Sequence, residues 1–356
     1  MNGRTETMKQ ASFLLFPFSF FLLSPCCFAG NVGEVELTRE GKASIQMALQ
    51  YLATRQRVDG SFSGNMGQTT AVVAAGMLAW MVAGNLPGEG PYGKQVAKGL
   101  DYLLGCAQPS GLLFKGHEEG HVMYHHGLAT MCLAEAWGQT RDKRIHDKLK
   151  NAIELIVRTQ NEKGGWRYQP RVMDDDLSVT VIQLLALRAA KDAGISVPKE
   201  TIDRAIAYVE SCRSPKDNQG LAGFSYQPGG GKKWSTTAAG VMSLMLCGNY
   251  KAKDVKDGLD YLMYAREHKE DLKEWFVYGH YYAAQAMYQA GAQGDKFRQY
   301  WQKWYPDLSQ QIIKSQKASG QERGGFRLDE GYGAWSTGMC ALILGIPYRY
   351  LPIYQR

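Results

Sequence analysis

Two kinds of apolar patterning alternate along the chain from about residue 38 to its end. The first is amphipathic. IHDKLKNAIELIVRTQ, Ile145 to Gln160, sets apolar residues three and four apart among Lys, Asp and Glu, the signature of a helix with one buried face. The second is apolar nearly all round and rich in small residues, as in Thr69 to Gly84, Ser178 to Ala190 and Thr236 to Gly248. A helix without a polar face must be surrounded by protein.

A Gly-rich turn ending in an aromatic or apolar residue joins each amphipathic stretch to the apolar one after it. The turns read QRVDGSF (Gln56 to Phe62), QPSGLLF (Gln108 to Phe114), QNEKGGW (Gln160 to Trp166), NQGLAGF (Asn218 to Phe224), a divergent EDLKEWF (Glu270 to Phe276) and QERGGF (Gln321 to Phe326). Counted from Gly60, Gly111, Gly165, Gly223, Trp275 and Gly325, the steps are 51, 54, 58, 52 and 50 residues, a period that marks a repeat architecture. Six wet-faced helices alternating with six buried ones predict an outer ring around an inner ring: an all-α (α/α)6 toroid of six helical hairpins, forming a single domain over 30–356. Inner helices that all run the same way gather their N-termini, with the longer Gly-rich loops, at one mouth, which is mildly electropositive and is the expected pocket. Ala83-Gly84-Asn85 and Ala193-Gly194-Ile195 are expected to turn the chain at the opposite end, with Gly as a helix C-cap.

Composition narrows the function. With 41 Lys and Arg against 34 Asp and Glu, the net charge of +7 over 356 residues comes without a basic run, so nucleic acid is not an expected partner. Residues 1–29 have a mildly basic start, an apolar run from Ala11 to Leu23 and a small-residue site at Cys27-Phe28-Ala29, the layout of a secretory signal peptide. Periplasmic or extracellular export is therefore expected, with membrane contact only transient or through an uncleaved leader. Cys106, Cys132, Cys212, Cys247 and Cys340 follow no zinc or disulfide spacing and read as small core residues, with one disulfide left open.

The spacing Gln160-Gly164-Trp166, repeated in Gln56-Gly60-Phe62, resembles the QW repeat of squalene and oxidosqualene cyclases. With GGWRYQP, MYHHGLATMCLAEA, HYYAAQAMYQAG and the ending YRYLPIY, the chain resembles secreted bacterial prenyltransferase/squalene-oxidase-repeat proteins of the terpene cyclase and protein prenyltransferase α/α-toroid superfamily. The resemblance implies an apolar, isoprenoid ligand in the central cavity and class II cyclisation or isomerisation started by an aspartate. It departs from the class II pattern twice. Those cyclases resemble two toroids where this chain has one, and against their Asp-x-Asp-Asp motif it offers Asp174-Asp175-Asp176-Leu177. The Asp-x-Cys pair of the zinc prenyltransferases is missing.

Asp174, Asp175 and Asp176 open the third inner helix and are the candidate catalytic residues. Asp176 could be an acid whose pKa its neighbours raise, opposed by the helix N-terminus. Alternatively, one of the three is the N-cap and the others are solvated first-turn acids. His117, His121, His125 and His126 cluster at the second inner helix. His121 and His125 have a metal-compatible spacing, with Glu118 or Glu119 to complete a site, but the expectation is a polar pocket lining without metal. The candidate ligand-binding set is His121, Tyr124, His125, Trp234, Tyr278, His280, Tyr281, Tyr332 and Trp335, with Asp329 and Glu330 also expected across the mouth from the aspartates. Trp166 is expected to pack its turn. No cofactor is expected. Two other functions remain open: a non-catalytic exported module binding a peptide, glycan or envelope partner, and a carbohydrate-active α/α-barrel enzyme using carboxylates from separate repeats.

Overall fold

The computed structural model describes residues 35–64, 69–115, 119–250, 253–268, 272–328 and 333–354. Residues 1–29, expected to be a leader, lie outside them. Twelve α-helices make up the fold among the described residues. The odd-numbered ones are α1 (Arg39–Arg55), α3 (Gly93–Gly105), α5 (Lys143–Thr159), α7 (Lys199–Ser211), α9 (Lys253–Glu267) and α11 (Asp295–Ser315). The even-numbered ones are α2 (Thr70–Val82), α4 (Val122–Thr140), α6 (Leu177–Asp192), α8 (Trp234–Leu246), α10 (Phe276–Gly291) and α12 (Gly333–Gly345).

Burial separates the two sets as the patterning requires. All thirteen residues of α2 and all thirteen of α8 are buried. In α5 only the stripe Ile145, Leu149, Ala152, Ile153, Leu155, Ile156 and Thr159 is covered. Each even-numbered helix packs on the next, and α12 returns to α2, so the inner ring is closed. The odd-numbered helices lie outside it, and α1 also meets α11 across the closure. The molecule is the all-α toroid of helical hairpins that the repeat predicts.

The turns hold neighbouring repeats together. Gln160 Nε2 donates to Gly164 O of its own turn and to Thr201 O of the next outer helix, both at 2.9 Å. Gln56 makes the same pair of bonds to Gly60 O and Gln95 O. At the closure the residue in this role is Gln316, which reaches Gly324 O and Ser44 O at 2.9 Å, rather than Gln321 as the spacing suggests. The sixth turn carries four extra residues between this glutamine and its glycine. In the fourth repeat Arg213 replaces the glutamine and forms ion pairs with Asp254 and Asp257 of α9. Gly164 has φ +95°, and a Cβ there would sit 2.1 Å from Arg204 O, so both the conformation and the close approach require glycine.

At the opposite end, Gly194 (φ +84°) ends α6 in a Schellman motif, with Ile195 N–H donating to Ala190 O and Gly194 N–H to Lys191 O. Gly84 does the same for α2. The chain leaving α12 crosses this end of the ring. Its short helical turn Pro352–Tyr354 packs on α4 and α6, with Leu351 and Ile353 buried. Cys106, Cys132, Cys212, Cys247 and Cys340 are free thiols.

Candidate functional site

The turn before α6 places the site. Trp166 donates Nε1–H to Ile156 O and its backbone N–H to Thr180 Oγ1, while its carbonyl accepts Asp176 N–H. Trp166 thus packs its turn, and the loop from Arg167 to Asp175 is pinned at both ends. Asp176 is the N-cap of α6. Its Oδ1 accepts Val179 N–H at 2.9 Å and the Ser178 hydroxyl at 2.5 Å. Ser178 Oγ also meets the Tyr124 hydroxyl from α4.

The three aspartates have different surroundings. Asp176 is 0% exposed. Its Oδ2 faces Arg167 Nη1 at 3.6 Å, and the Tyr226 hydroxyl also favours its anion. Asp175 is buried against Asn161, which donates to it at 2.6 Å, with Lys163 at 3.6 Å and Tyr208 of α7 alongside, so it braces the outer wall. Asp174 is exposed at the rim, bonded by Gln227. Burial pushes the Asp176 carboxyl above the usual 3.8, outweighing Ser178, the Val179 N–H, Arg167 and Tyr226. Asp174 is held below the usual value, chiefly by the Asp175 backbone N–H.

Tyrosines from four elements surround this carboxyl. The Arg167 guanidinium lies 4.7 Å from the Tyr168 ring centre and 5.7 Å from that of Tyr226, and the two tyrosine hydroxyls bond each other. The carbonyls of the same two tyrosines accept from the first turns of the preceding inner helices. Tyr168 O takes Met123 N–H of α4, and Tyr226 O takes Leu177 N–H of α6. Tyr278 of α10 completes the group, close enough for the charge of Asp176 and the tyrosines Tyr124 and Tyr226 to act on it. Its hydroxyl is buried without a partner among the described residues. Burial raises the hydroxyl pKa of Tyr124, Tyr226 and Tyr278, so all three are neutral hydroxyls.

Below the tyrosines, Leu128, Ile182 (8% exposed), Tyr282 and Met339 (4%) keep a trace of exposure about two turns into their helices. Further along α6 and α12, Leu184 to Leu187 and Cys340 to Leu344 have none. This end of the ring, below the tyrosines, is called the cup; the inner-helix residues beneath it are apolar and almost wholly buried.

The other sequence candidates fall in three places. His121 is exposed at the mouth, edge-on to the Tyr168 ring at 4.6 Å. Trp335 is half-buried near the start of α12. His125 is buried edge-on to Phe114, and burial pulls its pKa down to about 4. Trp234 lies on Gly279 and against His280. His280 itself is buried among Trp234, Phe276 and Trp304, which places it in the packing between helices, and burial lowers its pKa to about 3. Tyr281 is buried against Tyr282. His126 is a turn anchor, accepting Leu113 N–H on Nδ1. His117, Glu118, Asp329, Glu330 and Tyr332 lie outside the described residues, as does the Glu119 side chain. Among the described residues, no three His, Cys, Asp or Glu side chains are grouped to hold a metal ion.

Arg167, Ser178, Tyr226 and Gln227 were not among the sequence candidates. The signal for two of them is a repeated string: Trp166-Arg167-Tyr168-Gln169-Pro170 in one turn and Phe224-Ser225-Tyr226-Gln227-Pro228 in the next. A separate surface groove of about 560 Å³ beside α5, lined by His146, Lys150, Ile195 and Pro198 among others, shares no residue with the cluster.

Residues 127–289 match the family model of the squalene-hopene cyclase C-terminal domain. That span includes Arg167, Tyr168, Asp176, Ser178, Tyr226 and Tyr278. The sequence matches no curated protein. Among solved structures, an α-amylase from Clostridium perfringens is similar at 11% identity and a TM-score of 0.59, covering 85% of this chain and 97% of its own. An inactive variant of an α-1,6-mannanase from Salegentibacter sp. HEL1_6, in complex with α-1,6-mannotriose, is similar at 9% identity and a TM-score of 0.59, covering 87% and 99%. A type II terpene cyclase from Scytonema, in complex with geranylgeranyl dihydroxybenzoate, is similar at 12% identity and a TM-score of 0.50, covering 88% and 98%. At these identities the likeness is one of fold. The chain has the α/α-toroid architecture of terpene cyclases and α/α-barrel glycosidases, a fold that can hold a ligand in a central cavity.

Proposed function

We propose that the cup binds an apolar, isoprenoid-type ligand and that Asp176 donates a proton to it, starting class II cyclisation or isomerisation. One observation carries this reading: a wholly buried carboxyl with a raised pKa, its Oδ2 facing Arg167 and aromatic rings around it. A carboxyl whose pKa burial raises holds its proton more firmly than a solvated one and can serve as a general acid, and tyrosine faces stabilise a carbocation through their quadrupoles. Proton transfer leaves an aspartate anion, which Arg167 and the α6 N-terminus balance. Loss of a proton from the final cation restores the acid, so no redox partner is needed. The family match over 127–289 supports the same reading. Export by the 1–29 leader would limit the ligand to isoprenoids available outside the cytoplasm, such as those drawn from a membrane.

The opposite shifts of Asp174 and Asp176 support a second reading. A raised acid near an ionised carboxylate is also an acid–base pair suited to glycoside hydrolysis. One experiment separates the two. The purified protein is incubated with polyprenyl substrates and with a glycan panel that includes α-1,6-mannan oligosaccharides, and products are followed by mass spectrometry. Polyprenyl conversion, falling at least about a hundredfold in Asp176→Asn without loss of thermal stability, supports the first reading. Glycan cleavage sensitive to both Asp174→Asn and Asp176→Asn supports the second. Failure to bind or convert any polyprenyl compound overturns the first.

A further inference from the structure

The large hydrophobic side chains that stand exposed among the described residues are Val58, Val172, Trp275 and Tyr350. Tyr350 lies at the end opposite the mouth, against Gly84. The other three sit at the mouth, on the turns that lead into α2, α6 and α10, and so recur on every second hairpin around the closed inner ring. Trp275 is strained as well as exposed. It is 66% exposed and holds φ +57°, ψ +47°, the left-handed conformation that a bulky residue adopts only at a cost. It stands directly before Phe276, where Gly165, Gly223 and Gly325 stand before the aromatic residues of their turns. A glycine there would remove both the strain and the exposed indole, so folding alone does not account for the tryptophan.

The charges around these tips favour one kind of partner. Exposed Arg57 adjoins Val58, exposed Arg171 adjoins Val172, and exposed Lys273 lies two residues before Trp275. The nearby acids are engaged: Asp59 by Ser61, Asp174 by Gln227 and Glu274 by the Trp275 indole N–H. The chain carries a net charge of +7, and the N-termini of the inner helices point to this end. Separate apolar tips, each near a cation and one of them a tryptophan, suit a lipid headgroup layer, which they enter without needing a shaped groove. We propose that the mouth docks on an anionic lipid surface through Val58, Val172 and Trp275, so that the toroid rests with its mouth against the bilayer. This goes beyond the chemistry assigned to Asp176 and stands without it.

The test floats the full chain with vesicles of phosphatidylcholine alone and of phosphatidylcholine with phosphatidylglycerol, and reads hydrogen exchange with and without lipid. Binding should be about tenfold tighter with phosphatidylglycerol, and should fall about tenfold in a triple variant carrying Val58→Ser, Val172→Ser and Trp275→Gly. The triple variant is expected to melt no lower than the unsubstituted protein, because all three side chains are exposed and the glycine relieves the strain at Trp275. On lipid, amides at 56–63, 171–174 and 272–276 should gain protection, while those at 84–90 and 194–198 should not. That pattern separates docking by the mouth from insertion of residues 1–29. Absence of flotation, binding unchanged in the triple variant, or protection confined to residues 1–29 or to the opposite end overturns the proposal. Self-association without lipid that the triple variant abolishes also overturns it and assigns the face to a second copy of the chain.

Discussion

Asp176 caps a helix with one carboxylate oxygen and turns the other to Arg167, while burial and these partners pull its ionisation in opposite directions. The N-terminus of α6, Ser178, Arg167 and Tyr226 favour the anion, whereas removal from water favours the neutral acid and prevails. A carboxyl whose native pKa lies above its unfolded value of 3.8 binds its proton more tightly in the folded chain. Its ionised form therefore costs stability above the raised pKa, and that cost disappears as pH falls through the raised value towards 3.8 and below. Asn keeps a capping oxygen for the Val179 N–H without the charge. Asp176→Asn is accordingly expected to melt at or above the temperature of the unsubstituted protein at pH 7, with the gap closing on acidification. A lower melting temperature at pH 7 would mean that the anion is the favoured form. The Asp174-Asp175-Asp176 string was legible as a candidate site, but its division of labour was not. An extended chain entering a helix turns successive side chains to different sides, so one faces the cup, one the outer wall and one water. Arg167 escaped notice because an arginine beside a turn tryptophan carries no spacing signal, and only its stacking between two tyrosines gives it a role.

At the scale of the elements, four of the six turns are docked by a side chain from the first turns of the following inner helix. Thr180 accepts Trp166 N–H, Thr237 accepts Phe224 N–H, Thr337 accepts Phe326 N–H, and His126 accepts Leu113 N–H. Valine has the shape of threonine but no acceptor. Thr180→Val should therefore strand the buried Trp166 N–H and cost about 1–3 kcal/mol, read as a lower urea midpoint at unchanged slope. It should also weaken ligand binding, since the same turn positions Arg167 and Tyr168. An unchanged midpoint would show that this bond does not hold the turn. The helices and their period were readable because burial on all faces leaves a compositional mark that chance seldom produces in six copies. The glutamine tie at the closure was misplaced for a local reason. Counting back from Phe326 reaches Gln321, and an insertion that shifts the role to Gln316 is invisible until the partner Ser44 is seen.

For the whole molecule, the feature least visible in the sequence is how the end opposite the cup is covered. A toroid closed by α12 on α2 still leaves the C-terminal ends of six inner helices around a common axis. The segment after α12 crosses them, with Arg349 over the Tyr288 ring, Tyr350 against Gly84, and Leu351 and Ile353 buried where the last helical turn meets α4 and α6. Burying two such aliphatic side chains contributes about 3–6 kcal/mol. A chain ending at Arg349 is therefore expected to unfold at a markedly lower denaturant concentration. Amide hydrogens at the C-terminal ends of α4 and α6 should exchange faster, while those around Asp176, at the far end of α6, keep their protection relative to the global stability. Leu351→Ala alone should give about half the loss. If the truncated chain kept its midpoint, the segment would be a passive tail, and the floor of the cup would be held by the inner helices alone.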